Sequence, residues 1–226
     1  MIDYVLAVCL ILLLPGRALW KSLRKEQLPP NRPKAYLKTG SLIAGLLILL
    51  GYDWWHHARS LAALGLDVPL SRGGAVGFVI VAIILIAATI FVLVRRFRGA
   101  PQKDLSGQAK VSANESIPRS RAELAGFMVL AVLIGVGWEV LYRGFLLWLL
   151  VPHAGIVAAI CIAAFSYAAA HGYKSRKQFV ASIVSAFLFT IAFALSGSLW
   201  WLMLIHTTLG LVGGILGYKV ASRKLR

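Results

Sequence analysis

The chain has 226 residues, 59% of them hydrophobic and only 14% charged, with a mean hydropathy of +0.79. Soluble domains run at about 45–50% apolar and about 25% charged, so a soluble globular domain and a disordered chain are both excluded. The 24 Lys and Arg against 8 Asp and Glu leave a net charge of +16, and where that charge sits decides what it means.

Seven apolar segments follow one another, at about 2–19, 37–55, 73–94, 122–151, 154–171, 179–195 and 198–218. Several approach or exceed the roughly 20 residues that a helix needs to cross hydrocarbon. An outer-membrane barrel would show short alternating segments instead. Cys9 and Cys161 both lie inside apolar runs, which argues against a disulfide framework. The first segment is preceded by Asp3 and no basic residue, and its positive charge follows the apolar run, so it reads as a retained anchor and not as a cleaved signal.

The connections alternate in charge. The first (17–38) carries seven Lys and Arg, the second two (Arg59, Arg72), and the third (95–121) seven. The turn at 151–154 carries none, 172–178 three, 196–197 none, and the tail 219–226 four. The positive-inside rule then predicts an all-α, polytopic bundle of about seven spans, with the N-terminus outside and the C-terminus cytoplasmic. The basic excess becomes an orientation signal and a contact with anionic lipids; no soluble nucleic-acid recognition module is present. The organisation expected is one integral-membrane domain. It comprises a three-span part over 1–94, a basic linker over 95–121, a four-span core over 122–218 and a basic tail over 219–226.

Local signals refine this picture. The stretch from Ala58 to Gly74, broken at Asp67-Val-Pro69, reads as a surface-lying piece. Ser120-Arg-Ala-Glu123 has capping-box spacing and starts the fourth segment. That segment is too long for one straight span, and Gly135 and Gly137 bracket the expected kink. Trp20, Trp54, Trp55, Trp148, Trp200 and Trp201 fall near segment ends, as an aromatic belt requires, whereas Trp138 is mid-segment.

Ionisable groups in hydrocarbon are costly and mark functional sites by default. Four survive after loops and segment ends are set aside: Glu139, Arg143, His171 and His206. Glu139 and Arg143 are i and i+4 and share a helix face. Pairing would keep Glu139 ionised, which suits it to orienting a neighbour or a water more than to taking a proton. The alternative is a buried ion pair that only fixes helix packing. Two histidines with this pair could activate water and stabilise an oxyanion. The set requires no cofactor, although two histidines and a carboxylate would also suit zinc.

The run Trp138-Glu-Val-Leu-Tyr-Arg143-Gly-Phe-Leu resembles the first motif of the CAAX-protease and bacteriocin-processing (CPBP, or Abi) intramembrane endopeptidases, which is two adjacent glutamates, three residues and an arginine. Tyr167-Ala-Ala-Ala-His171 resembles the second, an aromatic, three residues and a histidine. Ser198-Leu-Trp-Trp-Leu-Met-Leu-Ile-His206 resembles the third, whose histidine is followed four residues later by Asn or Asp. The resemblance covers roughly 122–218. It implies an intramembrane peptidase in the bacterial cytoplasmic membrane, acting on a membrane-embedded or lipid-modified peptide. His171 would be the base, Glu139 its orienter or water ligand, Arg143 the partner of Glu139, and His206 the oxyanion donor. Two positions depart from the pattern: Trp138 stands for the first glutamate and Gly210 for the Asn. The resemblance therefore also admits a non-catalytic relative that binds a peptide or partner in an immunity or regulatory role.

Overall fold

The computed structural model describes residues 1–24, 31–97, 117–173 and 175–223. Helices make up its regular structure, and no strand occurs among the described residues. The first, α1 (Ile2–Leu23), changes winding in its middle, where Cys9–Leu13 form a π-helical turn. There Leu14 N–H bonds the Cys9 carbonyl, five residues back. The next bond in that register would need an N–H from residue 15, and Pro15 has none. The carbonyl of Leu10 is thus left for another partner.

Helix α2 (Arg32–His56) starts at Asn31, whose side chain accepts from Lys34 N–H at 3.0 Å, with Pro33 in the first turn. Its buried stripe runs Tyr36, Gly40, Ile43, Leu46, Leu50 and Trp54 at helical spacing. The segment beyond it is mostly exposed, as expected, but it sends one side chain inward. Ser60 caps a short 3-10 turn, Leu61–Leu64, that pushes Leu64 into the bundle, and Gly65 closes the turn at φ 78°. Leu199 N–H then donates to the Gly65 carbonyl at 2.8 Å.

Helix α3 (Arg72–Phe97) lies at the periphery against the C-terminal helices. The basic linker expected over 95–121 falls mostly outside the described residues, and α3 runs as far as Phe97. Helix α4 (Arg121–Trp138) begins as expected: Ser120 Oγ accepts from Glu123 N–H at 3.1 Å. The Glu123 carboxylate reaches back to Arg119 N–H at 2.7 Å. α-Helical backbone continues through Gly135 and Gly137, and the change of winding comes just after them, at Glu139. The two glycines are instead points of close approach. A Cβ on Gly135 would lie 2.7 Å from the Thr207 backbone nitrogen, and one on Gly137 would collide with Ile43. Helix α4 is therefore held tightly between α2 and the last helix, α7 (Trp200–Arg223).

Beyond Trp138 the chain makes a π-helical turn, Glu139–Phe145, and continues as α5 (Leu146–Ala170). Six helical stretches among the described residues are long and apolar enough to span a membrane. One of them, Arg121–Ala170, holds both apolar segments expected at 122–151 and 154–171. Straight, those 50 residues would measure about 75 Å, against a hydrocarbon thickness of about 30 Å. The stretch is folded back at Gly155, whose φ 76° and ψ 164° are non-helical, so that the Tyr167 ring returns to 5.5 Å from Tyr142. The reversal sits in the 151–154 region where a turn was expected, but no loop separates the two legs. Helix α6 (Arg176–Ser196) is capped by Ser175 and ended by Gly197 at φ 67°, and it leads into α7.

The tryptophans divide. Trp20 and Trp55 are exposed as a belt requires, but Trp54 and Trp201 are buried, their indole N–H groups donating to the Ser60 carbonyl and to Ser196 Oγ.

Gly135→Ala should destabilise the folded protein in detergent by about 1–3 kcal/mol through overpacking against Thr207. Gly51→Ala, where nothing lies within 4 Å, should change it by less than about 0.5 kcal/mol. Thermal unfolding of the two variants beside wild type checks the pair.

Candidate active site

Every residue of the π-helical turn Glu139–Phe145 is buried, and Glu139 and Arg143 are each only 1% exposed. Two ions in so dry a place must satisfy each other. Arg143 Nη1 donates to Glu139 Oε2 at 2.6 Å. The other carboxylate oxygen, Oε1, lies 2.7 Å from Nδ1 of His206, which α7 brings in from sixty-seven residues away. Both Glu139 oxygens are thus engaged. The Arg143 guanidinium lies 4.3 Å from the centre of the Tyr167 ring, a cation–π contact from the returning leg of α5. Its Nε and Nη2 have no hydrogen-bond partner among the described residues.

His171 closes α5 one helical turn beyond Tyr167. Its Nδ1 is 2.9 Å from the Tyr167 carbonyl, and its ring centre is 4.3 Å from that of Tyr167. A carbonyl only accepts, so Nδ1 carries the hydrogen and Nε2 presents its lone pair when the ring is neutral. The same reasoning puts a hydrogen on His206 Nδ1, facing the Glu139 carboxylate. The two imidazoles lie 6.5 Å apart between centres, with planes inclined by 30°, a separation that one bridging water can serve.

The four residues singled out from sequence are therefore brought to one place, but the links differ from those expected. Glu139 bonds His206 and not His171, and His171 is oriented by a backbone carbonyl. Trp138 is half-buried, its ring 5.5 Å from that of Tyr142. Gly210 faces α4, where a Cβ would meet Ala131 Cβ at 3.3 Å. Thr207 points at Gly135, away from the His206 face, and its buried hydroxyl has no partner among the described residues. No group of three or more His, Cys, Asp or Glu among the described residues is arranged to hold a metal ion.

Residues 120–212 match the family model described as type II CAAX prenyl endopeptidase Rce1-like. The match covers less than half of the chain but includes α4, the π turn, α5, α6 and the half of α7 that carries His206. No curated protein and no solved structure matches the chain.

The matched segment leans on parts of the chain outside it. Tyr142 donates its hydroxyl hydrogen to the Leu10 carbonyl at 3.1 Å, the acceptor that Pro15 leaves without a helical donor. Gly144 admits Leu64: a Cβ there would sit 2.7 Å from the Leu64 carbonyl oxygen. Neither contact is visible in the motifs, although a proline inside an apolar helix is a signal that some carbonyl upstream needs a donor. Tyr167 was legible only as a motif letter, and its role as the platform under both Arg143 and His171 follows from the fold at Gly155.

A second charged cluster escaped the sieve of deep polar residues. Asp53, placed by sequence at a segment end, is only 3% exposed. Arg59 donates to it at 3.0 Å and to both oxygens of Asp3 at 2.8 Å, while lying 4.6 Å from the centre of the Trp148 ring. This cluster pins the N-terminus of α1 to the end of α2.

Arg143→Met should cost about 3–5 kcal/mol by stranding a buried carboxylate, and adding Glu139→Gln should recover much of the loss; unfolding in detergent reads both. Tyr142→Phe should cost about 1–3 kcal/mol by orphaning the Leu10 carbonyl. That cost should shrink in a Pro15→Ala background, where residue 15 regains an N–H, and a double-mutant cycle measures the difference.

Proposed function

We propose that this protein is an intramembrane endopeptidase that hydrolyses a peptide bond of a membrane-embedded or lipid-modified peptide, in a bacterial cytoplasmic membrane with its basic loops inside. The observation that supports the reading is the pair of imidazoles with complementary anchoring: His206 against a carboxylate, and His171 against a carbonyl that leaves Nε2 free. A water between them would lose a proton to His171 Nε2 as its oxygen bonds the scissile carbonyl carbon. The carbonyl oxygen would take up negative charge next to His206 Nε2. For that nitrogen to donate, His206 must carry a second hydrogen, while its Nδ1 stays on the Glu139 carboxylate. Arg143 holds that carboxylate in place. His171 then returns its proton to the leaving amine. Trp138 has no group that could share the work of the base, so His171 carries it alone.

One observation favours a second reading, a non-catalytic protein that binds a peptide or partner without cutting it. Both Glu139 oxygens are committed, and an indole stands where the first glutamate of the motif is expected.

Peptide cleavage in proteoliposomes, read by mass spectrometry on a diverse pool of membrane peptides, separates the two. The hydrolase reading expects cleavage by wild type that survives chelators and falls by about 10²–10⁴ in His171→Ala. Silence from wild type with cleavage by Trp138→Glu would overturn it in favour of the binding protein.

A further inference from the structure

His171 is exposed and stands just past Ala170, the last residue of α5. The helix ends there in a glycine cap. Gly172 takes φ 64°, and its N–H returns to the Ala169 carbonyl at 3.0 Å. In the common form of this cap the following N–H also returns to its own helix, which here would mean the Ala168 carbonyl. Tyr173 N–H crosses to α1 instead and donates to Ser22 Oγ at 2.9 Å. The Ser22 hydroxyl gives its own hydrogen to the Ala18 carbonyl at 2.8 Å, which leaves an oxygen lone pair for Tyr173. Gly172 lies flush with this contact, since a Cβ there would stand 3.0 Å from Ser22 Oγ.

Helix α1 therefore holds the folded-back stretch at two points. Its Leu10 carbonyl accepts from the hydroxyl of Tyr142, the neighbour of Arg143, and its Ser22 accepts from the N–H of Tyr173, close behind His171. Between Leu10 and Ser22 runs about 18 Å of helix, a strut of set length along the site. Both anchors of the His171 ring, the Tyr167 carbonyl and the Tyr167 ring, belong to its own helix. The ring thus follows the end of α5, and its 6.5 Å separation from His206 depends on where that end is held.

We propose that Ser22 is a positioning residue for His171. From a helix outside the matched residues 120–212, its hydroxyl oxygen fixes the end of α5 so that His171 Nε2 faces the water shared with His206. The proposal rests on the reading of His171 as the base.

The test uses the full chain in proteoliposomes and two measurements. One is kcat and KM for peptide cleavage. The other is the tautomer of neutral His171, read by nitrogen NMR of labelled histidine and assigned by the signal lost in His171→Ala. Ser22→Ala should lower kcat by about 10–100-fold with KM unchanged, because a base misplaced by about 1 Å loses its alignment and not the substrate. It should also turn the single Nδ1–H tautomer into a mixture, as the last turn loosens from the Tyr167 carbonyl. Ser22→Thr, which keeps the hydroxyl, should restore both. Ser185→Ala removes a hydroxyl that bonds only a carbonyl of its own helix, α6, and should match wild type in both. Wild-type kcat and a single tautomer in Ser22→Ala would overturn the proposal. So would a loss that Ser22→Thr fails to restore, or an equal loss in Ser185→Ala, since either marks a general effect of packing. If wild type cleaves nothing, the hydrolase reading fails by itself, and the tautomer still decides whether Ser22 orients His171.

Discussion

The structure depends on giving polar partners to one carboxylate buried inside the bundle. Glu139 has lost its water, and an isolated charge in that setting is costly enough that every other feature of the site answers it. Arg143 supplies the countercharge from the same turn, His206 supplies a second donor from α7, and Tyr167 covers the guanidinium with a π face from the returning leg of α5. Remove any of these and the carboxylate loses a partner that lipid cannot replace. The constraint binds three separate helical legs.

Close packing, in turn, rests on absent side chains. Gly135 lets α7 come near enough for His206 to reach Glu139, Gly137 lets α2 seat Ile43, and Gly144 receives the buried turn at Leu64. Without hydrophobic drive between helices in lipid, small residues at interfaces are the means by which backbones approach and van der Waals contact accumulates. The π turn at Glu139–Phe145 and the π turn in α1 are joined by the hydroxyl of Tyr142 on the carbonyl of Leu10, so two local departures from α-helical winding satisfy each other. The segment that carries the site is thereby braced by a part of the chain outside it.

Much of this was legible beforehand. Seven segments of apolar composition, the capping box at Ser120 and the four polar residues in the membrane follow from one-dimensional rules about length, spacing and the cost of charge in lipid. Other features were not legible. Gly135 and Gly137 look like kink-formers in a sequence, because a glycine's use for close approach depends on a neighbour from another helix. Asp53 looks like a segment-end residue because only the fold brings Arg59 and Asp3 to it. Trp54 and Trp201 look like belt residues because burial of an indole depends on what stands beside it.

By itself the sequence determined that the chain is a helical membrane protein and which side chains would be forced to find polar partners, since both follow from the transfer energy of each residue into hydrocarbon. Only the tertiary structure decided which partners they found. Glu139 takes His206, His171 takes the Tyr167 carbonyl, and the reversal at Gly155 puts Tyr167 beneath Arg143, because hydrogen bonds and ring contacts between helices are set by how backbones are brought together and not by spacing along the chain.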